Sequence, residues 1–223
     1  MIKRLSVGLM LIMALYFSFF DTYPYEEKIQ RLYDKNNPSG NKAICLIVGN
    51  ISKSMYPYTI HYMEGEFQPL SPKTQEAHLN RLTNENLHLF SQFGLFTEEQ
   101  VARSWGKPIY RYNLTNLGRQ YFDDFNDQTN FCFGQIVVNS ANIIEDVLNS
   151  DNGNKERKVY ITYYVKNVPD WMKDPTVYKR FGYPKEITTE GLIDGIHRYR
   201  ILSKRKLESI EGVSLTYKWA STN

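Results

Sequence analysis

The sequence lacks the residue spacings that mark common catalytic and metal-binding sites. No G-x-S-x-G, P-loop, H-E-x-x-H or C-x-x-C motif occurs in its 223 residues. Histidine is scarce, with four residues. Two of them, His78 and His88, lie nearly three turns apart on one predicted helix, too far to share a metal ion. We therefore predict no catalytic residue, no metal site and no cofactor.

An excess of charge of one sign is also absent. The chain has 27 Lys and Arg residues against 24 Asp and Glu residues. Lys3 and Arg4 precede the hydrophobic N-terminus, and without these two the balance is 25 to 24. A nearly neutral body gives no electrostatic reason to bind nucleic acid or an anionic membrane surface. A nucleic-acid partner is therefore not expected.

What the sequence does contain is ample apolar material for a packed core. Its composition is 42% hydrophobic and 14% aromatic, which excludes disorder of the whole chain. Seventeen Tyr and twelve Phe residues favour strands, because aromatic side chains suit a half-buried pleated surface better than a crowded helix face. Together with the helical segments described below, this predicts an α+β fold.

The N-terminus has the pattern of an export signal or a membrane anchor. Leu5–Phe20 contains no charged residue, follows a Lys-Arg pair and precedes Asp21. As a helix this run would span roughly 24 Å, against about 30 Å of hydrocarbon in a bilayer. No A-x-A-like cleavage site follows, which favours an uncleaved anchor over a cleaved signal, with a buried core helix as a third alternative. The positive-inside rule then places the chain from residue 21 onward outside the cytoplasm.

The rest of the chain divides into a linker and two lobes. A polar stretch with Pro and Gly precedes Ala43, and an acidic turn precedes Phe131. The predicted division is 1–22 signal peptide or anchor, 23–42 linker, 43–130 α+β first lobe and 131–223 antiparallel, β-rich second lobe. One domain over residues 43–223 is the alternative.

The first lobe is predicted to contain one long helix and a hairpin. Leu and Phe recur at helical spacing over Lys73–Phe93, Ala43–Gly49 and Ile109–Leu114 predict strands, and Thr115 predicts the N-cap of a short helix at Asn116–Phe122. The order of long helix, hairpin and Tyr-x-Leu-Thr-x-x-Gly resembles the closing part of winged-helix domains. The long helix has balanced charge, so we expect the scaffold without DNA binding.

The second lobe consists mainly of predicted strands. These strands are Phe131–Val138, Lys158–Lys166, Ile196–Leu202 and Val213–Trp219. Between the second and third, Val168-Pro169-Asp170-Trp171 predicts a helix start, and a short helix through Phe181 is expected to be interrupted early by Pro175.

Three short motifs carry a further resemblance. They are Leu114-Thr115-x-x-Gly118, Phe131-Cys132-x-Gly134 and Val168-Pro169-Asp170-Trp171. In this order, across roughly residues 80–220, they resemble a pattern in uncharacterised small exported bacterial proteins, often lipoproteins. The chain departs from lipoproteins because no Cys follows its apolar run to accept a lipid. The resemblance implies a location in the bacterial envelope and supplies no activity.

The two cysteines are a candidate disulfide. Cys45 and Cys132 both lie in apolar, strand-like runs. An even number of cysteines in an exported chain favours a bridge, provided that their Cα atoms approach to about 6 Å. Two buried free thiols are the alternative.

The most basic patch is near the C-terminus. Its residues are Arg198, Arg200, Lys204, Arg205 and Lys206. Arg198 and Arg200 are alternate residues of a predicted strand, which favours a place on its solvated face over phosphate binding.

These observations predict a non-enzymatic protein of the bacterial envelope. We expect a binding, chaperone or regulatory-accessory module in the periplasm, held in the inner membrane through residues 5–20 if they are not cleaved. Its partner would be an envelope protein or a small ligand. A periplasmic enzyme is one alternative, and a winged-helix transcription regulator is another if the chain is not exported.

Overall fold

A computed structural model describes residues 24–61, 72–104, 106–148, 155–203, 206–209 and 217–218. Over these residues the fold is α+β, as predicted. The predicted N-terminal anchor, residues 5–20, lies outside the described residues. Within them, no helix is long and apolar enough to cross a membrane.

The described residues form four α-helices and eleven strands. In chain order they are α1 Tyr25–Asn36, β1 Ile44–Gly49, β2 Tyr58–His61, α2 Pro72–Gln92, β3 Phe96–Ser104, β4 Lys107–Leu114, α3 Asn116–Tyr121, β5 Phe122–Asp123, β6 Thr129–Phe133, β7 Gln135–Leu148, β8 Lys155–Lys166, α4 Pro175–Arg180, β9 Ile193–Ser203, β10 Lys206–Ser209 and β11 Tyr217–Lys218. Three sheets result, with the strand orders β11-β1-β6-β5, β10-β9-β8-β7 and β2-β4-β3. All described strand pairs are antiparallel except the short parallel pair of β1 with β11.

The chain forms two compact units, each assembled from separate segments. Of the described residues, the α1 unit comprises those up to Pro38, within Ile136–Tyr164 and within Leu192–Val213. The bridged unit comprises those within Ser39–Gln135 and Val165–Gly191 and those after Ser214. This division differs from the predicted break after residue 130, because β6 pairs with β1 and so stays with the first part of the chain.

In the α1 unit, a helix covers one face of a four-stranded sheet. α1 follows Pro24, has Glu26 and Glu27 in its first turn and a lysine in its last, an arrangement that complements the helix dipole. Ile29 and Tyr33 are four residues apart, so they share one helix face, and both are buried. Val159 and Ile161 of β8 are fully buried as well.

In the bridged unit, α2 packs on the sheet that contains β1. The fully buried Asn86 amide donates to the Val48 carbonyl at 3.0 Å. A Cβ added to Gly49 would lie 2.6 Å from the Thr83 side chain, so helix and strand approach closely where the glycine stands. The predicted helix at residues 73–93 is therefore confirmed, and it is a packing element of this unit.

Two local predictions require correction. Phe131–Val138 is two strands rather than one, because Gly134 has φ +76° and breaks the run between β6 and β7. Pro175 does not interrupt a helix; it opens α4, and Asp174 caps that helix by accepting from the Thr176 N–H at 2.8 Å. The predicted hairpin is formed by β3 and β4, and the polar residues of β3 suit its largely exposed surface.

Candidate functional site

The predicted disulfide is present and closes the bridged unit. Cys45 and Cys132 stand directly opposite each other in β1 and β6, with their Cα atoms 4.0 Å apart and a sequence separation of 87. Both residues are buried. A bridge of this kind is compatible with an oxidising, extracellular or periplasmic location.

The Leu-Thr-x-x-Gly motif fixes α3 against the turn that follows α2. The Thr115 hydroxyl accepts the Gly118 N–H at 3.0 Å and donates to the Gly94 carbonyl at 2.6 Å. A Cβ on Gly118 would lie 2.0 Å from the Leu95 carbonyl oxygen, so only glycine fits there without backbone movement. The motif therefore positions the exposed face of α3, on which Leu117 lies.

The Val-Pro-Asp-Trp motif places an indole ring in the aromatic core. Trp171 lies in a 3-10 turn at Asp170–Lys173 and is 6% exposed. Its ring centroid is 5.3 Å from that of Phe133 and 5.4 Å from that of Tyr121, both edge to face. Phe133 directly follows the bridged Cys132, and Tyr121 lies three residues after Gly118, so the ring contacts residues that lie in or near the other two motifs.

A cleft of about 370 Å³ opens at the surface beside this ring. Its lining residues come from the end of α2, from α3 and from the turn that carries Trp171. They are Phe93, Leu117, Tyr121, Pro169, Asp170 and Trp171. We call this feature the Trp171 cleft. Its volume falls in the range typical of ligand sites, and its lining is mostly apolar and aromatic, as theirs is.

Among the described residues, Asp170 is the one charged residue in the lining of the Trp171 cleft. Its side chain is 98% exposed and lies 2.7 Å from the Lys173 ammonium group. The hydrogen bond from Lys173, and the attraction of its charge, hold the pKa of Asp170 below its ordinary value. The carboxylate is therefore ionised at neutral pH and marks the solvent edge of the cleft.

The indole N–H of Trp171 is buried and has no hydrogen-bond acceptor among the described residues. A buried donor of this kind is uncommon in folded proteins, since leaving it unsatisfied costs about 1 to 3 kcal/mol. Trp171 thus combines a ring fixed by the core with a buried polar group that no described residue accepts from.

A second polar cluster surrounds His88, near the end of α2. Its Nδ1 lies 2.7 Å from Glu98 Oε2, and the Tyr112 hydroxyl donates to the same oxygen at 2.8 Å. The other imidazole nitrogen, Nε2, lies 3.1 Å from the Gln92 amide nitrogen. Both ring nitrogens are engaged within the chain, so this cluster ties α2 to β3 and β4 rather than presenting a free base.

The structure places part of the predicted basic patch. Arg198 is exposed on β9, opposite Lys158. Arg200 stands in register between Glu156 of β8 and Glu208 of β10. Lys204 and Arg205 lie outside the described residues, and Lys206 begins β10. The solvated-face interpretation stays a prediction, and Arg200 lies between two acidic neighbours.

The sequence did not single out the cleft residues Phe93, Leu117 and Tyr121. Two of the motifs contain or flank part of the lining, but their spacing in the chain does not indicate that they meet. Among the described residues, no group of three or more His, Cys, Asp or Glu side chains is arranged to hold a metal ion.

Comparison with known protein families, with curated proteins and with solved structures finds no match to this chain.

Proposed function

We propose that the protein is an exported, non-enzymatic component of the bacterial envelope that binds a partner through the Trp171 cleft. The observation that carries this proposal is the cleft itself. It is a pocket of ligand size, lined by three aromatic rings, in a unit whose core is closed by a disulfide. Apolar pockets on a rigid scaffold bind ligands, because burial of apolar surface supplies the affinity.

The lining of the cleft supports binding rather than catalysis. General acid–base chemistry needs a positioned side chain whose pKa suits proton transfer near the working pH. Asp170 is nearly fully exposed, paired with Lys173, and has a lowered pKa. A carboxylate in that state is a weak base and is better suited to pairing with a cation on a ligand.

The proposed location rests on the sequence and on the bridge. The uncharged run Leu5–Phe20 behind a Lys-Arg pair supports export with the body outside. The Cys45–Cys132 disulfide is of the kind that persists in an oxidising compartment. We therefore place the protein in the periplasm, anchored in the inner membrane through residues 5–20.

The exposed surface of α2 does not favour the winged-helix alternative. Among its residues 81–92, only His88 and Gln92 are exposed. A helix that reads a DNA groove must present several side chains to base edges and phosphates. This half of α2 instead packs against its own unit, and Arg81 and Arg180 both contact Glu85.

Reporter fusions test the location. Alkaline phosphatase joined after Lys42 should be active, whereas a reporter that fluoresces only in the cytoplasm should stay dark at the same position. The reverse pattern would refute export and would favour the winged-helix regulator.

Photo-crosslinking in living cells tests the binding role. A photoreactive amino acid at position 117, in the cleft, should give a discrete adduct with a partner. The same substitution at position 125 is the matched control, because Phe125 is 53% exposed in the same unit and is not part of the cleft lining. Adducts at both positions alike, or at neither, would contradict the cleft as the binding site.

A further inference from the structure

We infer that the Trp171 cleft receives a proline-rich, extended segment of a partner protein. This inference rests on the proposed function and specifies the chemistry of the ligand. It is carried by the kinds of side chain that line the cleft, by the scarcity of acceptors among them, and by its open rim.

The walls suit flat, rigid, apolar rings. Phe93, Tyr121 and Trp171 contribute aromatic surface, and Pro169 and Leu117 complete the lining. The Trp171 ring is held by edge-to-face contacts with Tyr121 and Phe133, so it is preorganised before a ligand arrives. Grooves lined by aromatic side chains are a recurring means of binding proline-rich segments, whose polyproline II conformation is already formed in the free chain.

The polar groups of the cleft select against other backbone conformations. A segment bound as a strand brings several N–H groups that need acceptors, but among the described lining residues the one carboxylate, Asp170, lies at the rim with one oxygen already engaged by Lys173. A proline has no N–H and presents only carbonyl oxygens. Prolines therefore lie against the apolar walls without burying an unsatisfied N–H group.

The rim indicates a segment of a longer chain rather than an enclosed small molecule. Leu117 is 40% exposed and the Asp170 side chain 98% exposed, so an occupant would keep one side in solvent. The ionised Asp170 also provides a place for a Lys or Arg beside the prolines. Surface ion pairs are weak, so this charge would select among ligands more than it would hold them.

A titration of the full-length protein in detergent with capped hexaproline tests the inference. The chain has three tryptophans, so the indole N–H region of a nitrogen-15 spectrum is simple, and Trp171→Phe assigns the signal. Hexaproline should move the Trp171 signal and saturate with a Kd below about 1 mM. A capped glycine–serine peptide of equal length should leave it unmoved.

Two surface variants separate binding in the cleft from binding elsewhere. Leu117→Asp should weaken hexaproline binding by about tenfold or more, because it places a charge on the apolar wall. Phe125→Asp changes a more exposed residue that is not part of the cleft lining and should bind like the unchanged protein.

The inference is overturned if hexaproline leaves the indole signal unmoved, if the control peptide moves it equally, or if Leu117→Asp binds normally. A crosslinked adduct at position 117 in a protein that ignores hexaproline would leave the proposed function intact and reject only this ligand class. If neither the adduct nor hexaproline binding is observed, the proposed function and this ligand class are both rejected.

Discussion

The two units stabilise their sheets by different means. The bridged unit has a covalent link between β1 and β6 and an aromatic core around Trp171. The α1 unit contains neither of the chain's two cysteines and depends on one helix. There the Gln30 side chain donates to the Ile136 carbonyl at 2.9 Å and accepts the Val138 N–H at 2.8 Å.

Those hydrogen bonds protect the edge of a sheet. β7 is the outermost strand in its sheet, and its backbone groups would otherwise be open to pairing with other chains. Glu26 continues the protection by accepting the Ala141 N–H at 3.1 Å. In the α1 unit, the helix thus protects the edge of β7. The bridged unit is stabilised by its disulfide and its aromatic core, and it has an open apolar cleft. The difference teaches that covalent closure and the open Trp171 cleft occur in the same unit.

The largest expected effect is loss of the bridge. Closing a loop of 87 residues contributes about 4 to 5 kcal/mol in the chain-entropy estimate, a large part of the roughly 5 to 15 kcal/mol that holds a typical domain. Cys45→Ser and Cys132→Ser should therefore lower the melting temperature clearly and to similar extents. Hydrogen exchange should show the loss of protection concentrated in β1 and β6. Equal losses in the β7–β10 sheet would contradict the distinction between the units.

The next effect concerns the glycine behind the cleft. Gly118→Ala puts a Cβ within 2.0 Å of the Leu95 carbonyl oxygen, and the backbone shift needed should cost about 3 kcal/mol. Gln120→Ala, at an exposed position of the same helix, is the control and should change stability little. Urea denaturation compares the two, and equal stability would show that α3 is not fixed as described.

A smaller effect should follow from removing the side-chain hydrogen bonds that protect the edge of β7. Gln30→Ala leaves the Ile136 carbonyl and the Val138 N–H without their side-chain partner, a loss of about 2 kcal/mol. Arg31→Ala, at the next and exposed position, should be nearly neutral. We expect faster amide exchange at Val138 and more self-association in Gln30→Ala. If both variants behave alike, α1 does not protect the strand.

The smallest expected effect on stability comes from ionisation of the buried tyrosines of the α1 unit, which occurs only at high pH. Burial raises the pKa of Tyr199 to about 12, partly offset by a hydrogen bond with Tyr33, and burial also raises the pKa values of Tyr33 and Tyr163 well above their ordinary value. Each folded-state pKa lies above the unfolded value of 10.0, so the stabilisation is complete below pH 10 and is lost as the pH rises towards 12 and beyond. Tyrosinate absorbance and circular dichroism should change together there. Tyr33→Phe should make the loss less steep.

Local patterns predicted the elements, but not how distant elements meet. Apolar spacing located α2 because its period depends only on neighbours along the chain. Both cysteines lay in predicted strands, which made the bridge a reasonable expectation. The break at Gly134 was missed because the contact that favours glycine there is not local in the sequence. A Cβ at this position would lie 2.7 Å from Val165, which is 31 positions away. The cleft was missed because Phe93, Leu117 and Trp171 come together only in the folded unit.

The most direct test of the central claim is the number of free thiols in the protein as cells produce it. Export into an oxidising compartment would keep Cys45 and Cys132 bridged, so protein isolated from the cell envelope, denatured and alkylated without reductant should show no reactive thiol. Reduction before alkylation should reveal two. Two reactive thiols without reductant would contradict both the bridge and the proposed oxidising compartment.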